Sequence, residues 1–169
     1  MSRVVITGLG IISCLGNNQS EVLKSLQNGD SGLSTNQDYI DNGMRCHVSG
    51  QVSPDLETID RKMLRFMSET SAYAFLSTQE AIIDSGLTPD RIGSDDVGVI
   101  VGSGTGSSRE IQRIMDTIRE KGMRRIGPYS VTRTMGNTTS AAISTFFKTK
   151  GISFSIASAC STSLHCISY

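Results

Sequence analysis

The sequence predicts an α/β fold with a mostly parallel sheet covered by helices, and three observations carry that prediction. Two short runs rich in β-branched residues, at 4–7 and 97–101, each end in closely spaced glycines, as buried strands feeding turns do. A third run alternates Ile152, Phe154 and Ile156 with serines, the period of two expected of a strand. Helix-length segments separate the three runs, so successive strands need crossover connections and come out parallel.

After the first strand, Asn18 or Ser20 is placed to cap a helix whose Val22, Leu23 and Leu26 share a face and which Gly29 ends. Gly43, Gly50 and Pro54 interrupt residues 34–54, which read as loops with short strands at most. Residues 60–85 contain neither Gly nor Pro, and their apolar residues, among them Met63, Phe66, Met67, Ala74 and Ala81, recur at helical spacing. A long helix is predicted there, whole or broken, with Gly86 as its stop and Pro89 as a block to continuation. Ile111, Ile114, Met115 and Ile118 fall at i, i+3, i+4 and i+7, an amphipathic helix ending near Gly122 and followed by a basic loop. Residues 137–148 predict a further helix stopped at Gly151, and the strand after it delivers the chain to Cys160.

A chain of 169 residues is long enough for one domain with a real core, and leaves little room for a second. Sixteen basic residues balance sixteen acidic ones, which gives no reason to expect a nucleic-acid partner. No apolar stretch approaches the roughly 20 residues of a membrane helix, and the first residues lack a signal-peptide pattern. A cytosolic protein with reduced thiols is the expectation. The four cysteines and two histidines do not have the paired spacing of a zinc site, so neither a metal nor another cofactor is expected.

Gly8-Leu9-Gly10 after a strand invites a dinucleotide-binding reading, but Ser13 stands where that pattern needs Gly or Ala, and a tight strand-exit turn is favoured. Gly102, Gly104 and Gly106 could cradle an anion, yet lack the Lys and Ser/Thr of a phosphate loop; a close-packed turn beside an active site is the better reading.

Cys160 has the strongest local case for chemistry. Strand, small-residue turn and helix in succession place its side chain at the helix's first turn, where unpaired N–H groups favour a thiolate and a backbone N–H can meet an oxyanion. The competing reading is a buried small apolar side chain, which is also how Cys166 reads. His165 lies five residues on, about 500° around a helix and so about 140° away from Cys160, which suits a packed or hydrogen-bonded histidine better than a base. Nothing recommends His47. Arg61, Lys62 and Arg65 form one basic group, and Lys121, Arg124 and Arg125 another; each is either a solvated face or a dock for an acidic partner.

Taken together, "VVITGLGIISCLGNN", "DRKMLRFM", "GVIVGSGTGSSR", "GPYSVTRTM" and "SIASACSTSLHCI" resemble the amino-terminal part of β-ketoacyl-acyl-carrier-protein synthases, the condensing enzymes of bacterial fatty-acid synthesis. "GMRCHVSG" and the pair His165-Cys166 resemble type I more than type II. The resemblance implies a thiolase-like fold of two similar halves, each with a five-stranded mixed sheet, in a homodimer. Residues 1–169 would be its amino-terminal domain, incomplete at the carboxy-terminal end. Cys160 falls on the family's nucleophile and oxyanion donor, and Met135 on a residue that lines the acyl pocket across the dimer. The strand over 152–156 falls on the one that pairs across the two-fold axis. Arg61, Lys62, Arg65, Arg124 and Arg125 fall on the positions that dock acyl carrier protein. The family's two active-site histidines and its lysine belong to the other half, so this chain alone is expected not to condense. A non-catalytic scaffold or carrier-binding half is the alternative, and a nucleotide-dependent oxidoreductase a distant third.

Overall fold

The computed structural model describes residues 3–169, which divide into two compact units: residues up to 55 with 76–86, and residues 56–75 with 87–169. In chain order the elements are α1 (Gln19–Asn28), β1 (Leu33–Thr35), α2 (Gln37–Asp41), β2 (Val48–Gly50), α3 (Arg61–Leu64), α4 (Glu69–Ser85), α5 (Pro89–Ile92), β3 (Val99–Gly102), α6 (Ser108–Lys121), α7 (Ser130–Thr134), α8 (Thr138–Phe147), β4 (Ser153–Ile156) and α9 (Thr162–Ser168). No helix among the described residues is long and apolar enough to cross a membrane.

In the first unit Asn18 is the cap of α1, its side chain accepting from the Glu21 N–H at 2.9 Å, and Gly29 closes the helix at φ 71°. The short strands allowed for in the sequence are β1 and β2, an antiparallel pair with Ser34 opposite Ser49. Between them, the five-residue α2 is too short to show a period and was not expected; Asn36 caps it.

The strand expected at 4–7 does not form. Val4, Val5 and Ile6 are 95%, 61% and 79% exposed and pair with no described strand. An apolar run becomes a strand only where a neighbour takes its N–H and C=O groups, and among the described residues none does. The glycines after it serve close approach. A Cβ on Gly8 or Gly10 would collide with the carbonyl oxygens of Ala81 and Ser77 on α4. The N–H groups of Leu9 and Ile11 donate to Asp84 and Glu80, each at 2.9 Å. Two of the donors a phosphate would need are thus committed to carboxylates, which argues against the dinucleotide reading.

In the second unit the long helix of the sequence reading is broken. Asp60 caps α3, and the chain then turns through i→i−3 bonds from Phe66 and Met67 before Ser68 accepts the Ser71 N–H at 3.3 Å and α4 begins. Met67 is buried at the break. α4 ends at Ser85 with Gly86 at φ 66°, as expected, and Pro89 also opens the next helix: Thr88 caps α5, and proline fits its first turn because that N–H has no intrahelical partner. At the end of α8 the stop is Lys148, at φ 55°, three residues before the expected Gly151.

β3 and β4 pair in parallel, Val99 with Ser153 through Gly102 with Ile156, and α6, α7 and α8 lie in the crossover between them. The α/β class with a parallel pair is as expected, but the five-stranded sheet is not formed by the described residues, which hold two two-stranded sheets. The core packs Phe75 of α4 edge-on to Phe146 at 4.7 Å and stacked near Phe147 at 5.6 Å, with Ile143, Ala142 and Val99 also buried. A buried hydroxyl chain crosses it, Ser68 to Ser71 at 3.2 Å and Ser71 to Thr139 at 2.9 Å, so these polar groups are satisfied where water is excluded.

Candidate active site

β4 leads into a 3-10 turn, Ala159–Ser161, and then into α9, so Cys160 sits in the turn ahead of the helix and not within its first turn. The difference has a local cause. Ser161 N–H bonds to Ser158 C=O at 3.1 Å, closing a tighter ring than an α-helix allows. Ala159 adopts φ 49°, a left-handed conformation that costs a non-glycine residue about 1–2 kcal/mol and occurs where surroundings impose it.

Thr162 does the imposing. It is 4% exposed, its Oγ1 accepts from the Ser158 N–H at 2.9 Å, and the same hydroxyl donates to the Ala159 carbonyl at 2.8 Å. Glycines complete the seat. A Cβ on Gly102 would lie 2.6 Å from Thr162 Cγ2, and one on Gly104 would lie 2.8 Å from the Ala159 carbonyl oxygen. The glycine run after β3 therefore lets its backbone lie against the Cys160 turn, the close-packed arrangement favoured above.

Cys160 is exposed, which disagrees with the buried-packing reading, and its backbone N–H makes no hydrogen bond among the described residues. A thiol and an unspent N–H on one residue suit a nucleophile that also stabilises the oxyanion it creates. His165 is hydrogen-bonded, its Nδ1 lying 2.8 Å from Ser158 Oγ, as its helical position suggested. Cys166 is half-buried. His47 is exposed in a loop, with its carbonyl accepting the Asn36 N–H at 2.7 Å. Among the described residues no cluster could hold a metal ion.

Met135 ends α7, 43% exposed, and lines an apolar cavity of about 350 Å³ with Met63, Phe66, Ala141 and Ala142. Cys160 does not line that cavity. The two basic groups meet in part: Arg65 and Arg125 line one cleft, while Arg61, Lys62 and Arg124 are exposed outside it. Sequence reasoning missed Thr162, Arg113, Arg133 and Glu110. A Thr two residues after a candidate nucleophile is the one hint the sequence held for the first; the others depend on distant partners.

A family model described as the N-terminal domain of β-ketoacyl synthase matches residues 1–169. The chain is 51% identical over 170 residues to 3-oxoacyl-acyl-carrier-protein synthase 1 of Escherichia coli strain K12, covering 99% of this chain and 42% of that protein. It is 46% identical over 171 residues to the synthase of the same name from Haemophilus influenzae, covering 100% of this chain and again 42% of the relative. A crystal structure of a β-ketoacyl synthase from Burkholderia phymatum STM815 is similar at a TM-score of 0.81 and 29% identity, over 100% of this chain and 42% of that one. The chain thus spans less than half the length of these relatives.

Proposed function

Because the chain belongs to the β-ketoacyl synthase family, we propose that it is the nucleophile-bearing part of a 3-oxoacyl-acyl-carrier-protein synthase of type I, elongating fatty acids in the cytoplasm. The observation that carries the reading is the Cys160 turn: an exposed thiol with a free N–H, held by Thr162 on a left-handed Ala159.

The chemistry follows from that turn. Cys160 sulfur, as thiolate, attacks the carbonyl carbon of an acyl-carrier thioester, and the Cys160 N–H donates to the oxyanion. As the intermediate collapses, the carbon–sulfur bond to the carrier breaks, the carrier thiol leaves with a proton from solvent, and the acyl group stays on Cys160. The second oxyanion donor and the histidines and lysine that decarboxylate a malonyl partner belong to the other half of such an enzyme, so residues 1–169 carry the acceptor thiol but are inactive by themselves. In this reading they form the first half of a duplicated thiolase-like domain. The exposed 4–7 run and the edges of β3 and β4 are then completed into a five-stranded mixed sheet, in a homodimer. Met135 lines the acyl pocket, and Arg61, Lys62, Arg65, Arg124 and Arg125 dock an acidic acyl carrier protein, favourable because their side chains are exposed and of one sign.

The test is incubation of the full-length protein with an acyl-carrier thioester, followed by peptide mass mapping. The acyl group is expected on Cys160 in the parent and in Cys166→Ala, and on no peptide in Cys160→Ala. Equal labelling of Cys160 and Cys14 would show mere thiol exposure, and no adduct would favour a scaffold.

A further inference from the structure

The cleft that Arg65 and Arg125 share also contains two arginines to which nothing above assigns a task. Arg113 of α6 and Arg133 of α7 complete its wall, in a volume of about 330 Å³. One carboxylate faces them. Glu110, 7% exposed, accepts from Arg113 Nε at 3.1 Å and Nη2 at 2.8 Å, and lies 3.5 Å from Arg133 Nη2. Arg133 is further held by Nε donating to the Met67 carbonyl at 3.0 Å.

These bonds orient the two guanidinium planes but leave donors over. Nη1 of Arg113 and Nη1 of Arg133 bond to nothing among the described residues, and Arg65 and Arg125 have no ion pair or hydrogen bond there. Four guanidinium charges stand against one carboxylate, so three positive charges are unbalanced in a space of roughly ten water volumes. A single carboxylate from a partner's surface would supply one negative charge and fill little of the cleft. A phosphate-class polyanion supplies two or more in a compact shape, with oxygens spaced for the forks of arginine.

We propose that this cleft binds a free, compact polyanion of the pyrophosphate class, with Arg113 and Arg133, preset by Glu110, as its inner donors and Arg65 and Arg125 as its outer ones. Because Arg65 and Arg125 also belong to the docking surface proposed above, an occupied cleft weakens carrier docking; that consequence alone rests on the earlier reading.

Calorimetric titration of the full-length protein with inorganic pyrophosphate tests it. One saturable site is expected, with affinity reduced about tenfold or more by Arg113→Gln and by Arg125→Gln, since each removes a charge-assisted fork. The Arg125 side chain is exposed and pairs with nothing among the described residues, so the fold tolerates its loss and Arg125→Gln carries the test where Arg113→Gln, which strips the buried Glu110 of a cation, lowers stability; Lys24→Gln on α1 serves as the control that leaves binding unchanged. Raising salt from about 0.05 to about 0.2 M weakens the binding through screening. No saturable heat, or equal affinity in the two arginine variants and the parent, overturns the proposal. An acidic carrier protein that binds while pyrophosphate does not also overturns it and gives the cleft to protein carboxylates. The measurement involves neither Cys160 nor a thioester, so it stands or falls apart from acyl transfer.

Discussion

Replacing Thr162 by Val keeps the shape of a buried side chain and removes one hydroxyl, and the structure sets what that costs. The Ser158 N–H, bonded to Oγ1 at 2.9 Å, loses its acceptor, an orphaned donor worth about 1–3 kcal/mol. The Ala159 carbonyl loses the hydroxyl at 2.8 Å but keeps the Thr162 backbone N–H, so only about 0.5–1 kcal/mol goes with that bond. The new methyl returns about 0.8 kcal/mol of burial. The net is about 2 kcal/mol, and it falls on a turn in which Ala159 already sits at φ 49°. If the loss loosens the turn, up to about thirtyfold fewer molecules hold Cys160 as the structure shows it. Urea denaturation of the full-length protein reads the stability, and the rate of Cys160 acylation reads the turn. Thr162→Ser, which keeps Oγ1, is expected to lose only the burial of its methyl, about 1 kcal/mol, and little rate. Unchanged stability and acylation in Thr162→Val, or equal damage in Thr162→Ser, would refute the clamp.

Gly104→Ala places a Cβ 2.8 Å from the Ala159 carbonyl oxygen, a backbone atom that can yield only by moving the Cys160 turn; a loss of about 1–3 kcal/mol and slower acylation are expected by the same two assays. Phe75→Ala empties the centre of the aromatic cluster with Phe146 and Phe147 and is expected to cost about 3–5 kcal/mol in urea denaturation. Burial, reinforced by the Glu69 carboxylate, pushes the Tyr73 phenol above its ordinary value, with Arg109 opposing. The unfolded phenol therefore ionises first, near pH 10, so stability is fully present below that pH and falls as pH rises through the folded value. Tyr73→Phe is expected to flatten that alkaline decline, which denaturation midpoints from pH 9 to about 11 will check.

Local chemistry made much of the chain legible. Asn18 and Gly29 bracket α1, Ile111 to Ile118 mark α6, and the alternation around Phe154 marks β4, because caps, stops and periods act over a few residues. The setting of Cys160 between a strand and a helix was legible for the same reason, whereas the Ser158 bond of His165, one of two forms the sequence left open, was not. What failed did so where a distant partner decides. An apolar run at 4–7 stays exposed without a neighbouring strand; of the two forms the sequence allowed for 60–85, the broken one is chosen where Met67 is buried and its carbonyl is taken by Arg133, sixty-six residues away.

The sequence by itself determined the α/β class, most helices, the nucleophile candidate and the family, since these rest on residue type and spacing within short windows. Tertiary structure alone decided that Gly104 lies against Ala159, that Thr162 holds the turn, and that Arg65, Arg113, Arg125 and Arg133 share one cleft, two of them paired with Glu110. Hydrogen bonds and charge pairs act over a few ångströms in space whatever their separation along the chain, and no local pattern records which residues folding brings that close.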